Sequence, residues 1–391
     1  MSTPAPGYAH EIRAQVFANR LRRIEAHEFA ARRILTRPVW VARRGVSSRH
    51  GSPAAYAGRP GLARVSSRLR VAVVGAGVWG EQHARVFARR SDTELVAIVG
   101  RTAGRAEQRA AAYGTTAYTD IDEMLARARP DLVTTSLPNE EHFAPTLQLI
   151  RGGVPLLVEK PLVFNLDEAE QLIAEAEQRE LFFAINFNHR YASAVQQAHR
   201  AIHDGRLGDI VHVTWRFGGE ANPGSSPYRN LFETQCHGFD MLEHLAGPIS
   251  SVMAEMTNKT DERAYHTVVI AVRFANRAVG SLVGTYDSSY TYPDAQYIEI
   301  NGTLGRALIR DTVQELTLSR VGSETHEVWR PGYFNDLDRA FAHTFDRHVD
   351  DVLAALRAGH EPPIHARAGR RSVELATAAV RSFEQGVRVA S

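Results

Sequence analysis

Leu69-Arg70-Val71-Ala72-Val73-Val74-Gly75-Ala76-Gly77-Val78-Trp79-Gly80 carries the most informative pattern in the chain. Its first six residues are a compact β-branched run that predicts a strand, and three glycines follow at the spacing G-x-G-x-x-G. A helical pattern then runs through Glu81–Arg90, and a second apolar strand is predicted over Glu94–Val99. Each glycine answers a separate physical need: Gly75 permits the tight turn, Gly77 lets a pyrophosphate approach the backbone, and Gly80 lets the helix lie close to the strand. The first helical turn, with Val78 and Trp79, offers unpaired N–H groups and the positive end of the helix dipole to phosphates. Strand, glycine turn, helix and strand in this order predict a dinucleotide-binding βαβ unit.

The end of the second strand chooses the dinucleotide. An NAD site ordinarily carries Asp or Glu there for the ribose 2′-hydroxyl. This chain reads Val99-Gly100-Arg101-Thr102, with Arg105 one turn on. A guanidinium, whose forked donors match phosphate oxygens, replaces the carboxylate, so NADP is favoured and NAD stays open. The alternation continues with helices over Ala103–Tyr113 and Ile121–Ala128, and a strand over Asp131–Leu137. Pro138, Asn139 and His142 open a helix to Arg151, and a strand over Val154–Val158 delivers Glu159-Lys160-Pro161. Ligands of open α/β sheets bind outside the carboxyl ends of the strands. Gly75, Gly100–Arg101, Pro138–Asn139 and Lys160 all stand at such ends, and with Thr102, Arg105, His142 and Glu159 beside them they are the expected cofactor contacts.

Lys160 is conspicuous for another reason. It is one of two lysines, with Lys259, among 46 Lys and Arg residues in the chain. Lysine, unlike arginine, can surrender its proton when buried, so its use here points to proton transfer. The length of 391 residues accommodates two domains, and 44% hydrophobic with 23% charged residues excludes a fibrous or wholly disordered chain. The net charge of +2 is unevenly spread: residues 1–69 hold 13 Arg against 3 Glu, a surplus of +10, and the remainder carries −8. Residues 1–68 therefore read as an Arg-rich, disordered leader, with a short helix predicted within Ile12–Leu35 and a linker from Arg43 to Arg68. No basic stripe with interleaved aromatics follows, so nucleic acid is not an expected partner. The lone Cys236 excludes an internal disulfide or CxxC metal site. No apolar stretch approaches the ~20 residues of a membrane helix, and no secretory signal opens the chain. A cytoplasmic enzyme without a metal is the expectation.

Gly75-x-Gly77-x-x-Gly80-x-x-His83, Pro138-Asn139-x-x-His142 and Glu159-Lys160-Pro161 together resemble the signatures of the glucose-fructose oxidoreductase / inositol dehydrogenase / rhizopine-catabolism (Gfo/Idh/MocA) superfamily. The resemblance runs from about Arg70 to residue 385. It implies an α/β fold: an N-terminal Rossmann domain, then a C-terminal α/β domain on a large, mainly antiparallel sheet, usually assembled as a dimer or tetramer. Alternating patterns agree at Ile210–Phe217, Ser250–Met256, His266–Phe274, Gly280–Tyr286, Ala295–Asn301 and Ala307–Ser319, followed by helices over Phe334–Ala358 and Ala368–Gln385. The expected domains are 69–187 for the nucleotide and 188–391 for the substrate and assembly.

The same resemblance places the chemistry at Glu233-Thr234-Gln235-Cys236-His237-Gly238-Phe239-Asp240, where members show Asp-x-x-x-His-x-x-Asp. His237 would exchange the substrate proton, Lys160 would bind and polarise the same oxygen, Asp240 would hold a neighbouring hydroxyl, and Glu233, replacing the usual aspartate, would orient His237. Asn188, His189 and Arg190 stand where members contact substrate or nicotinamide ribose, while His83 and His142 read as loop-fixing residues. The implied activity is an NAD(P)-dependent, NADP-preferring oxidoreductase acting on a secondary alcohol or ketone of a sugar or cyclitol. Two alternatives accompany it: elimination or hydrolysis of a glycoside through transient oxidation by a tightly held nicotinamide, and a non-catalytic sugar- and nucleotide-sensing regulator.

Overall fold

The computed structural model describes residues 68–220, 226–334 and 336–391. The expected helix within Ile12–Leu35 and the linker assigned to Arg43–Arg68 lie outside the described residues, apart from Arg68 itself. The nucleotide half alternates β1 (Leu69–Val74), α1 (Val78–Arg89), β2 (Thr93–Val99), α2 (Ala103–Tyr113), β3 (Thr116–Tyr118), α3 (Ile121–Ala128), β4 (Leu132–Thr135), α4 (Phe143–Arg151), β5 (Leu156–Val158), α5 (Leu166–Gln178) and β6 (Phe183–Ile185). Its six strands are all parallel, in the order β3-β2-β1-β4-β5-β6. The order reverses between β1 and β4, and the crevice outside the carboxyl ends there is where a doubly wound sheet binds nucleotide. Because helices cover both faces, the strands read as unbroken apolar runs, and β4 and β5 are wholly buried.

The second half begins with α6 (Ser193–His203) and β7 (Ile210–Gly218), then α7 (Cys236–Ala246), β8 (Ile249–Thr257), β9 (Thr267–Phe274), β10 (Val279–Thr285), β11 (Gln296–Gly302), β12 (Gly305–Arg310), β13 (Glu315–Arg320) and β14 (His326–Trp329). It closes with α8 (Asp336–Arg339), α9 (His343–Ala358), α10 (Arg367–Gln385) and β15 (Val389–Ala390). The nine strands form one sheet in the order β14-β13-β12-β11-β7-β10-β9-β8-β15, antiparallel except for the β7–β10 pair. Alternation sorts its faces: Val268, Ile270, Val272 and Phe274 of β9 are buried in one core cluster with residues of α7 and α10, while Val269 of the same strand is exposed. The α/β architecture expected from the sequence is the one observed.

Three boundaries differ from the sequence reading. The run Ala307–Ser319 is two strands, because Asp311 and Thr312 both adopt positive φ (46° and 57°) and turn the chain back on itself. The helix expected to begin at Phe334 is only α8 before His343, where α9 starts. The helix expected from Pro138 opens as a separate 3₁₀ turn over Asn139–Glu141 before α4. A further feature was not legible locally: α9 returns to the nucleotide half, where Phe345, Val349, Val352 and Leu353 join Leu69, Val71 and Phe87 in one core cluster.

Candidate active site

The glycine turn is shaped as its spacing requires. Gly75 has φ +126°, and a Cβ there would stand 1.9 Å from the Ser136 carbonyl oxygen. A Cβ on Gly80 would stand 1.9 Å from the Gly75 carbonyl oxygen, so that glycine is needed for helix–strand contact. Gly77 is different: a Cβ there would meet nothing within 4 Å. It faces open space at the start of α1, whose amino end has no side-chain cap. Free N–H donors, open backbone and a half-exposed Val78 and Trp79 fit a dinucleotide pyrophosphate at this end of the sheet. Trp79 is braced by stacking on Phe345, ring centroids 5.7 Å apart.

The other expected cofactor positions divide. Gly100 follows β2 with its N–H on the Tyr118 carbonyl, and Arg101, Thr102 and Arg105 are exposed. The Arg101 guanidinium is held at 2.7 and 2.9 Å by the two carboxylate oxygens of Glu141, a partner the sequence reading did not anticipate. Pro138 and Asn139 line the same end of the sheet. His142 does not face it: the ring is buried, Nε2 lies 3.0 Å from the Leu137 carbonyl, and burial depresses its pKa. It fixes the loop rather than offering a group to a ligand.

Glu159 also points inward, away from any ligand. Its Oε1 accepts from His83 Nε2 at 2.9 Å and from Asn186 Nδ2 at 2.6 Å, and its Oε2 from the Lys160 N–H at 3.2 Å. His83 Nδ1 lies 3.1 Å from Thr134 Oγ1, and Asn186 Oδ1 accepts from His348 Nδ1 at 2.7 Å. A buried polar chain thus runs from β4 to α9 beneath the end of β5. Burial opposes ionisation of Glu159, but the His83 hydrogen bond and the nearby Lys160 charge hold its pKa below the ordinary carboxylate value. Asn186 and His348 were not singled out from sequence; the signal was Asn186's place at the carboxyl end of β6.

Above this network sits half-buried Lys160, whose Nζ donates to the Glu233 carbonyl at 3.1 Å. His237, in the first turn of α7, packs against His189 with ring centroids 4.1 Å apart and planes tilted by 30°. Both rings are buried, and the Lys160 charge acts on both. Burial, then the neighbouring charges, lowers His189 to about 3 and His237 well below its usual value, so both are neutral at pH 7. His237 Nδ1 is enclosed without a hydrogen-bond partner, and among the described residues no hydrogen bond reaches Nε2 of either ring. Lys160, His237 and His189 therefore lie close enough for the lysine charge to act on both rings.

Four other expectations are corrected. The Glu233 carboxylate does not meet His237; it bonds to Asn139 and accepts from Tyr286 Oη at 3.3 Å, and burial raises its pKa. Its extra methylene carries it across to the nucleotide half, so it ties the two halves together around Lys160. Asp240 and Arg190 meet each other in a two-pronged ion pair at 2.5 and 2.8 Å, so the buried carboxylate is engaged within the fold instead of standing free toward the site. Arg190 lines a different cavity of about 320 Å³, with His199, Arg200 and His244. Asn188 spends its amide on Thr344 Oγ1 at 2.6 Å. Cys236 is buried, with its thiol pushed up to about 12, as a packing residue would be.

A Rossmann crevice whose edge carries a lysine and a histidine pair is the site of a nicotinamide-dependent oxidoreductase, and sequence comparison specifies which family. Residues 69–187 match the Gfo/Idh/MocA oxidoreductase family, NAD-binding Rossmann fold, and residues 195–308 match the Gfo/Idh/MocA C-terminal domain. The chain belongs to this family. It is 24% identical over 330 residues to an inositol 2-dehydrogenase of Rhizobium meliloti (strain 1021), covering 81% of this chain and 97% of that one. It is 34% identical over 156 residues to a D-glucoside 3-dehydrogenase of Escherichia coli (strain K12), a match spanning 39% of this chain and 44% of that enzyme. Among solved structures, levoglucosan dehydrogenase in complex with NADH and levoglucosan has the same fold, with a TM-score of 0.75 at 20% identity over 83% of this chain and 99% of that one.

Proposed function

We propose that this oxidoreductase transfers hydride between NAD(P) and a secondary alcohol or ketone of a sugar or cyclitol. The observation that carries the reading is the convergence of half-buried Lys160 with His237 and His189, whose Nε2 atoms have no partner within the described chain. When bound, the nicotinamide supplies the hydride acceptor or donor. Neutral His237 exchanges the hydroxyl proton through Nε2, and Lys160 binds and polarises the same oxygen. Glu233 keeps Lys160 in place through its carbonyl and, through its carboxylate on Asn139, holds the strand end that faces the cofactor. The relatives that act on inositol, glucoside and levoglucosan support polyhydroxylated rings as the substrate class. Exposed Met253, Val269 and Val279 lie on one outer face of the nine-stranded sheet, which supports a homodimer or homotetramer through that face; sedimentation velocity decides it.

The test is a panel of sugars and cyclitols with each cofactor, followed by absorbance of the reduced nicotinamide and by product analysis. Net cofactor turnover supports the dehydrogenase; product without net turnover would instead point to glycoside cleavage by transient oxidation, and cofactor and sugar binding without product to a sensor.

NADP preference rests on the absence of a carboxylate at Val99-Gly100-Arg101. The Arg101–Glu141 pair is exposed on both sides, and such pairs contribute about 0–1 kcal/mol, so a 2′-phosphate can recruit the guanidinium. Arg101→Ala should weaken NADPH binding by ~1–3 kcal/mol with little effect on NADH, and Glu141→Gln should strengthen NADPH binding. Equal affinity of the parent protein for NADH and NADPH, measured by fluorescence titration, would sink this preference.

A further inference from the structure

We infer that Gln296 and Thr312 are positioning residues that set the proton of His189 on Nε2, so that His189 faces the substrate as a hydrogen-bond donor; the inference rests on the proposed dehydrogenase site. Gln296 opens β11 on the face that buries Ile298 and Ile300, an apolar position occupied by a buried amide. Its Nε2 lies 3.3 Å from His189 Nδ1, and its Oε1 accepts from the Thr312 hydroxyl. The Thr312 hydroxyl is the donor in that contact because a carbonyl oxygen can only accept. The amide is placed with its nitrogen toward the imidazole, where it can only donate. His189 Nδ1 must therefore carry the lone pair, and a neutral imidazole with a lone pair on Nδ1 carries its hydrogen on Nε2.

The backbone is shaped to the same end. Asp311 and Thr312 are consecutive non-glycine residues at positive φ (46° and 57°), a strained arrangement that over-determined surroundings must hold. Asp311 holds it by accepting from the Gln296 N–H and the Asp294 N–H, both at 3.3 Å. The turn that splits β12 from β13 thus delivers one buried hydroxyl to Gln296. Around the ring, Phe217 and Phe341 stand edge-on to His189, with centroids 5.8 and 5.1 Å away, and offer no competing acceptor. The two adjacent histidines then divide their labour: His237 exchanges a proton, and His189 donates a fixed hydrogen bond to an oxygen of the same substrate ring.

The tautomer can be read in the ligand-free full-length protein by ¹⁵N long-range NMR of labelled histidine, with His189 assigned from its loss in His189→Asn. The expected result is a protonated Nε2 and a bare Nδ1. Gln296→Glu, which keeps the shape but presents an acceptor to the ring, should move the proton to Nδ1. Thr312→Val should lose the single tautomer, Thr312→Ser should retain it, and kcat/KM for whichever of myo-inositol, levoglucosan or methyl β-D-glucoside turns over should fall about tenfold in the valine variant and recover in the serine variant, the scale of one hydrogen bond. A protonated Nδ1 in the parent protein overturns the inference, as does a tautomer unmoved by Gln296→Glu. Normal kcat/KM in His189→Asn overturns the donor role. Failure of the dehydrogenase reading looks different: no sugar is turned over by the parent protein, while the tautomer remains as described.

Discussion

At the scale of single residues, the site depends on which polar groups are left unspent. Lys160 and His237 retain donors and acceptors that no neighbour within the described chain uses, whereas Asp240, Arg190, Asn188 and Glu159 are each tied to an internal partner. Lys160→Ala and His237→Ala should each lower kcat by roughly 10²–10⁴, the span of general acid–base catalysis, with cofactor affinity changed little. Lys160→Arg should not restore the rate, because a guanidinium keeps its proton and has another shape. Near-parental kcat in His237→Ala, in steady-state assays, would assign the proton to a different group. His83 answers to stability rather than to rate: His83→Ala removes a buried donor from Glu159 and should cost about 1–3 kcal/mol in urea unfolding of the cofactor-free protein. An unchanged unfolding midpoint would show that the carboxylate finds another donor.

At the scale of elements, the glycine turn and α1 separate folding from binding. Gly80→Ala drives a methyl into the Gly75 carbonyl and should destabilise the free protein or prevent its folding. Gly77→Ala meets no protein atom, and its backbone (φ −81°) suits any residue, so the free protein should melt unchanged while NAD(P)H affinity falls by tenfold or more. A Gly77→Ala protein with parental cofactor affinity would move the pyrophosphate elsewhere. This element was legible in the sequence because strand, turn and helix are each encoded by adjacent residues. The hairpin β12–β13 was not, since Arg310-Asp311-Thr312 contains neither the glycine nor the proline that ordinarily marks a turn. Nor was Gln296 recognised, though a polar residue in phase with Ile298 and Ile300 is the kind of exception that marks a buried functional amide.

Across the whole molecule, the site's chemistry is bound to its stability through buried neutral imidazoles. His189 and His348 have pKa values lowered to about 3 by burial, and burial likewise holds His237 well below its ordinary value. In each, the unfolded state binds a proton near pH 6.5 that the folded state refuses until much lower pH. Their contribution to stability is therefore complete above pH 6.5 and is lost as pH falls from there toward 3, at up to about 1.4 kcal/mol per pH unit for each ring. Thermal melts should show a clear loss of stability between pH 7 and pH 5.5. A melting temperature flat across that window would mean that these rings accept protons within the fold. Two of the three rings lie at the candidate site, so acid should reduce activity and stability together.

What the sequence determined by itself was whatever adjacent residues encode: the βαβ unit and its glycine turn, the alternating strands of the second sheet, the strand ends that line one crevice, and Lys160 as an exception to an arginine-rich chain. The partner of each polar group, by contrast, was set by the three-dimensional fold. Arg101 meets Glu141, Glu233 crosses to Asn139 and Tyr286 instead of orienting His237, and His348 of α9 completes a buried chain to Glu159. Hydrogen bonds are short and directional, so one methylene or one turn of helix redirects them, whereas apolar periodicity tolerates such changes and is written along the chain.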